Sequence, residues 1–531
     1  IVTDADGAGD QQAVLAVAGG IGVLLGLFDI LDGDEASEVE VFIHDGQLFH
    51  LAAQQQGLGF LQGDALGSGD EMFLGHHLAD GDIEAGHELE VAVGDDAHQL
   101  AVGIADGNAA DVELAHQPVG IADEMLRGEE KGIIDDEAPN GIVMVTIDKA
   151  GDEIVRIMNE SQFRYIHDPK APRFLLMDKK GKFALGIGGY VRATAEYDFG
   201  GIVDNMDFIP AYIPNASKVK NQFQMDASTS TIFLKLVGHT KLLGDFVVYT
   251  AGNFRGGDKV FQLRNAYMSF RNVTVGYTYG GFMDLAALPS TIDFQGPNGA
   301  TFYRATQLAY TYKGLKNWRF HASIEVPSVD GATNDELSVA QQRMPDFTAY
   351  AQYGWGANSH LRVGGIVRSM TYTSTLSNHA SDVTGWGIQA STSFNLSKKW
   401  EIFGQATYGK GIGQYLNDIS NLNVDIVPNP EKEGKMQALP MLGWFAGAQY
   451  NICPKIFVSG TYSMSRLYSE NGYPNDQPSS YRYGQYLVAN VFWNVTPNMQ
   501  VGAEYLRGWR TDFSNSTHHA NRMNLLVQYS F

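Results

Sequence analysis

The sequence predicts an all-β protein: a 16-stranded antiparallel transmembrane β-barrel, preceded by an unrelated acidic, Gly/Asp-rich segment. Three observations predict it. From Phe183 to the end, apolar and polar residues alternate with the period of a strand. The alternating segments run roughly 10–15 residues, where strands of soluble folds average about five or six, and tilted strands of about 9–11 residues cross a bilayer. The last of them, "MNLLVQYSF", keeps Met523, Leu525, Val527, Tyr529 and Phe531 on one face to its final residue. Termini usually fray. A strand patterned to its end belongs to a sheet that closes on itself, because in lipid every backbone polar group needs a partner.

The formal net charge of -23 over 531 residues is misleading as a guide to partners. Residues 1–140 hold 30 Asp and Glu against two bases, Arg127 and Lys131, while the other 391 hold 30 acids and 35 bases. All 25 Tyr and all 7 Trp also follow residue 140. The chain is therefore two unlike pieces. The first is expected to be no functional part of the mature protein. Its Gly-Asp steps lack the nine-residue period of calcium-binding repeats. His76, His77 and His87 have no Cys or carboxylate spacing beside them and read as surface residues rather than metal ligands. The apolar stretch 13–31 lacks the basic flank and cleavage site of a signal peptide, and no apolar run is long enough for a membrane helix. Cys453 is the only cysteine, which excludes an internal disulfide and any multi-cysteine metal site. Residues 141–182 read as a linker with a short helix around Ile154, Val155, Ile157 and Met158, broken by "DPKAP".

The barrel follows over 183–531. In "FALGIGGYVRATAEYDF" one face is Leu185, Ile187, Val191, Ala195 and Tyr197, and the other carries Arg192, Thr194, Glu196 and Asp198. The same division recurs in "WRFHASIE" and "GWGIQASTSFN". The segments are 184–199, 227–238, 244–254, 259–270, 272–281, 301–313, 316–326, 345–354, 359–373, 383–395, 399–409, 440–452, 455–466, 482–495, 498–510 and 519–531. An even number suits bacterial outer-membrane barrels. Short turns such as "YKGLKN", "NLSKKW" and "NVTPN" trade places with long loops at 200–226, 282–300, 327–344, 410–439 and 467–481, the rhythm of periplasmic turns and external loops. Trp355, Trp386, Trp400, Trp444, Tyr450, Trp493 and Tyr505 fall at strand ends, where an interfacial girdle places aromatics.

Sixteen strands enclose an aqueous channel, whose selectivity depends on what lines and narrows it. Projecting the alternation inward selects Arg192, Lys235, Arg264, Arg319, Arg362 and Arg368 as pore-lining bases, with Glu196, Asp198, Glu325 and Glu504 among the acids. The bases favour anionic solutes. Arg304 shares a face with Leu308 and Tyr310 in strict register, so a bulge is needed to turn it inward. The third long loop, "GGFMDLAALPSTIDFQGPNGA", is too apolar for an external loop and reads as a constriction folded into the lumen. Its Asp284 and Asp293 would face the pore or anchor on wall arginines.

At these residues the chain resembles DcaP-like outer-membrane porins. "GGYVRATAEYDF", "LRNAYMSF", "GGFMDLAALPSTIDFQGPNGATFYRATQLAYT", "ASIEVPS" and "MPDFTAYAQY" carry the resemblance, in order, across about residues 180–531. It implies a homotrimer of sixteen-stranded porins in the outer membrane of a Gram-negative bacterium, passing small anionic solutes, dicarboxylates among them. The closing strand and Phe531 resemble the signal read by barrel-assembly machinery. A phosphate-selective porin ranks second, for want of a denser ladder of bases. A barrel adhesin or outer-membrane hydrolase ranks behind both: no G-x-S-x-G elbow occurs, and "STHHANR" offers only His518 and His519, read as residues of the last external loop. No catalytic residue, cofactor or metal is expected, and no basic stripe suits nucleic acid.

Overall fold

The computed structural model describes residues 142–531, except 148–149, 179–180, 204, 357 and 475–476. The chain divides into two units, Ile1–Met144 and Val145–Phe531. The acidic segment 1–140 and its histidines lie outside the described residues.

The wall of the second unit begins with β1 (Phe183–Phe199), β2 (Thr231–Thr240), β3 (Gly244–Asn253), β4 (Gln262–Phe270) and β5 (Val273–Tyr279). It continues through β6 (Arg304–Tyr312), β7 (Trp318–Glu325), β8 (Asp346–Trp355), β9 (Ser359–Ser374), β10 (Ser381–Asn395) and β11 (Trp400–Lys410). It ends with β12 (Pro440–Cys453), β13 (Ile456–Leu467), β14 (Tyr481–Asn494), β15 (Met499–Asp512) and β16 (Thr517–Ser530). Every strand pairs antiparallel with the next, and β16 returns to β1 from Asn521 opposite Phe199 to Ser530 opposite Tyr190. Phe531 completes the seam: its amide and carbonyl bond those of Gly189 at 3.1 and 3.2 Å. The barrel is closed, as the patterned last strand demands. His518 and His519 belong to β16 itself, not to a loop.

Burial is inverted relative to a soluble protein. Ile187 (48%), Val191 (59%), Val363 (56%) and Leu525 (57%) are exposed, while Arg192, Glu196, Asp198, Arg368 and Arg522 are buried. That is a wall with lipid outside and polar groups inside. At the short-turn, periplasmic end, aromatic pairs form a girdle: Trp318 on Phe320 at 5.6 Å, and Trp400 on Tyr450 at 4.7 Å.

Three of the external loops turn much of their length into the barrel. The loops 200–230 (L1), 280–303 (L3) and 411–439 (L6) fold inward and build an apolar core inside the barrel. Ile209, Phe282, Ile412, Tyr415, Leu416 and Ile419 pack there against the wall residues Ile366 and Met441. Only L3 was expected inside; L6 was read as an external loop, and of it the stretch around Glu431–Glu433 is exposed. Before the wall stands a nine-residue helix, α1 (Asp152–Glu160). Ile154, Ile157 and Met158 bury its one apolar stripe, and Asp152 and Glu153 complement the positive N-terminal end.

Candidate functional site

L3 is fixed to the wall along its length, in part through carboxylates. Near its start, the carboxylate of Asp284 accepts from Ser391 at 2.7 Å and pairs with His360 at 2.7 Å and Arg362 at 3.4 Å. Burial alone would raise its pKa, but the Arg362 charge and the His360 and Ser391 contacts hold it well below the usual carboxylate range. At the apex, Glu504 of β15 accepts the amides of both Ile292 and Asp293 at 2.7 Å. The Asp293 carboxylate accepts from the Phe208 amide of L1 and from Tyr486 of β14. Burial, with Asp207 and Glu504 nearby, pushes its pKa well up.

Two glycines of "TIDFQGPNGA" serve different needs. Gly296 has φ +75°, the left-handed region. At Gly299 a Cβ would stand 2.3 Å from the Met464 carbonyl oxygen and 2.6 Å from the Trp444 amide, so only glycine lets the loop press against the wall.

The apex carries Phe294 into a cluster of guanidinium groups. Arg264 lies 5.0 Å from its ring centroid, Arg255 5.4 Å and Arg192 5.8 Å. Arg304 stacks nearby on Tyr279 at 4.4 Å and Phe302 at 4.9 Å. Between Arg255, Arg264, Arg304 and Phe294 lies a cavity of about 190 Å³. Asp207 is bound by both arms of Arg255 at 2.8 and 2.7 Å. Among the described residues, Arg192 and Arg264 bond only neutral partners: carbonyls, the Tyr190 and Thr231 hydroxyls, the Gln528 amide oxygen and His167.

The sequence-selected residues divide three ways. Arg192, Arg264 and Arg304 meet at the cluster. Arg304 reaches it without a bulge: no register shift interrupts β6, and as the first strand residue, opposite Tyr279, it turns its guanidinium inward. Arg362 and Arg368 face inward but are tied to loops. Arg368 is buried between Asp346 at 2.9 Å and Asp425 of L6 at 3.0 Å. Lys235 donates to the Met158 carbonyl of α1, and Arg319 is exposed towards the short-turn end. Sequence reasoning missed Arg255, a loop residue outside any strand period, and Arg522. The alternation of β16 does point Arg522 inward, where it bonds Asp198 at 2.6 and 3.0 Å.

Residues 178–531 match the family model of the DcaP outer membrane protein. Among solved structures the chain is similar to the outer membrane channel DcaP of Acinetobacter baumannii, 21% identical with a TM-score of 0.58 over 66% of this chain and 99% of that one. It is also similar to OmpT of Vibrio cholerae (11%, TM-score 0.43, 66% and 98% covered). The anion-selective porin from Comamonas acidovorans is similar at 10% identity and TM-score 0.43, with 66% and 100% covered. No curated protein matches the chain. The chain belongs to the DcaP outer membrane protein family, whose barrels are channels of the bacterial outer membrane.

Proposed function

We propose that the barrel is a diffusion channel for small hydrophilic solutes with a preference for anions, dicarboxylates among them, and that its selectivity resides at the L3 apex. The observation that carries this is the cluster of Arg192, Arg255, Arg264 and Arg304 around Phe294 and Phe302. Against these four cations stand Asp207, Glu504, Asp168 and Asp293, of which burial pushes the Asp168 pKa up and the Asp293 pKa well up, favouring their neutral forms. A positive excess therefore remains, in surroundings that screen it far less than water does. A carboxylate reaching this point exchanges water for guanidinium groups, and a second carboxylate finds another arginine across the same cavity. A cation meets repulsion there. Assembly as a homotrimer, and insertion through recognition of the last strand with Phe531, complete the proposal. No catalytic step belongs to it.

Single-channel current in a planar bilayer, with a salt gradient across the full chain, tests the reading. A reversal potential on the anion side is expected, moving towards zero in Arg264→Ser with Arg304→Ser. Three equal substeps would report the trimer. A cation-selective channel would overturn the anion preference.

A further inference from the structure

We infer that residues 161–173 are an autoinhibitory plug: a re-entrant loop that enters the periplasmic mouth and occupies the basic cluster with the chain's own polar groups. The stretch reads from sequence as a linker. In the fold it begins at α1, runs into the lumen, turns at Tyr165–Asp168 and returns to a short strand, Phe174–Asp178, paired with β1. The turn is closed by the Asp168 amide on the Tyr165 carbonyl at 3.1 Å, and the Gln162 side chain bonds the Pro169 carbonyl at 3.2 Å across the loop. Both arms thus lie on the same side of the tip.

The loop reaches across the mouth. Arg164 donates to the Asn358 carbonyl in the β8–β9 turn, and Lys170 to the Pro497 carbonyl in the β14–β15 turn. Pro172 sits where a Cβ on Gly186 of β1 would come within 2.3 Å of it. Deeper in, Ile166 packs on Ile292, Phe492 and Leu526. On the opposite wall Phe163 meets Tyr279 at 4.9 Å and Tyr267 at 6.1 Å.

At the tip the loop stands where an anion would stand. The His167 carbonyl accepts from Arg264, the His167 Nδ1 from Arg192 at 3.2 Å, and the Asp168 carboxylate from Tyr279 at 2.6 Å, whose hydroxyl also accepts from Arg304. The imidazole lies 4.7 Å from the Phe294 ring of L3, tilted by 47°. The plug therefore closes the path by meeting the same donors a permeating carboxylate uses, and solute and plug exclude one another.

At the rim the loop is held weakly. Its two outer anchors are exposed side chains on carbonyls, and Arg164 stands 3.8 Å from Glu401, a surface pair of small worth.

The test is single-channel conductance of the full chain. Replacing Phe163–Asp168 by two glycines bridges the arms that Gln162 and Pro169 already bring together, leaving α1 and the wall intact. Its open conductance is expected to rise at least about twofold over the native chain, since the constriction loses its occupant. An unchanged conductance overturns the proposal. Independently, Arg164→Cys with Asn358→Cys, in a Cys453→Ser background, places two exposed thiols across the mouth. A short cleavable bismaleimide is expected to suppress the open steps, and a reductant to restore them; steps indifferent to the linker would overturn the plug even if the shortened chain failed to fold. The conductance ratio reports the plug and the reversal potential reports the anion preference, so either can fail alone.

Discussion

The lumen is filled at both ends, but by different bonds. In the outer half, guanidinium groups face carboxylates. Arg368 joins Asp346 and Asp425, and Arg522 joins Asp198 while also donating to the carbonyls of Val203, Asn205 and Met206. In the inner half, the bases that hold α1 and the loop after it face neutral atoms: Lys235 the Met158 carbonyl, Arg264 the His167 carbonyl, Arg192 the imidazole, while Arg255 and Arg362 keep carboxylates of L1 and L3. Removing one member of a buried ion pair strands a charge, whereas undocking a carbonyl from a cation frees both to meet water or solute. The comparison teaches that one basic wall can hold permanent filling and removable filling. What differs is whether a carboxylate stands opposite.

The sharpest way to break that contrast is Arg368→Met. Asp346 and Asp425 are left buried without their cation, at a cost on the order of 3–5 kcal/mol. The temperature at which the barrel unfolds in detergent, read by heat-dependent gel mobility, should fall clearly. An unchanged temperature would mean that the outer filling is not wired through this residue. A smaller effect is expected from Glu504→Gln. Two amides of the L3 apex share that carboxylate, and a glutamine offers one oxygen where there were two. The loss is about 1.5–3 kcal/mol, the worth of a hydrogen bond to a charged group. It should appear as faster proteolysis of L3 and noisier current; a quiet channel with a protected loop would place the anchor elsewhere.

Much of this molecule was legible in the sequence, and the limits have physical reasons. The strands were readable because lipid outside and polar lumen inside impose a strict period of two, so Ile187 and Arg192 declare their faces directly. The inward folding of L3 was readable because "FMDLAALPSTIDF" is too apolar for water. L6 hid the same behaviour. Ile412, Leu416, Ile419 and Val424 are spread among Gly, Asn and Asp, and no period marks a loop that packs on other loops. Arg255 could not be found for a similar reason: its place beside Phe294 depends on how the 254–261 loop (L2) and L3 meet. The plug was invisible because Tyr165, His167 and Asp168 are ordinary linker residues until the wall supplies their partners.

The smallest expected effect sharpens the inner half by pH. The His167 ring faces Arg192 of β1, Arg264 of β4, Arg255 of L2, and Phe294 with the Asp293 backbone of L3, while Tyr165 and Asp168 lie beside it on its own loop. Burial first, and then the charges of Arg192 and Arg264, lower its pKa well below the ordinary value. The sign follows. Above about pH 6.5 the imidazole is neutral whether docked or released and contributes nothing to the balance. Below that, the released loop takes up a proton that the docked loop refuses, so docking weakens by up to about 1.4 kcal/mol per pH unit until the docked pKa is reached. Asp168 acts in the opposite sense: burial raises its pKa, so the docked loop gains as pH falls through that raised value towards the ordinary carboxylate range. Lowering the periplasmic side from about pH 7.5 to about 5.5 should therefore open the native channel, chiefly through the histidine. His167→Gln should flatten that rise, and Asp168→Asn should leave it in place. A native channel that closes over the same interval would mean that the imidazole is not what Arg192 and Arg264 hold off from a proton, and the docked geometry of the tip would have to be abandoned.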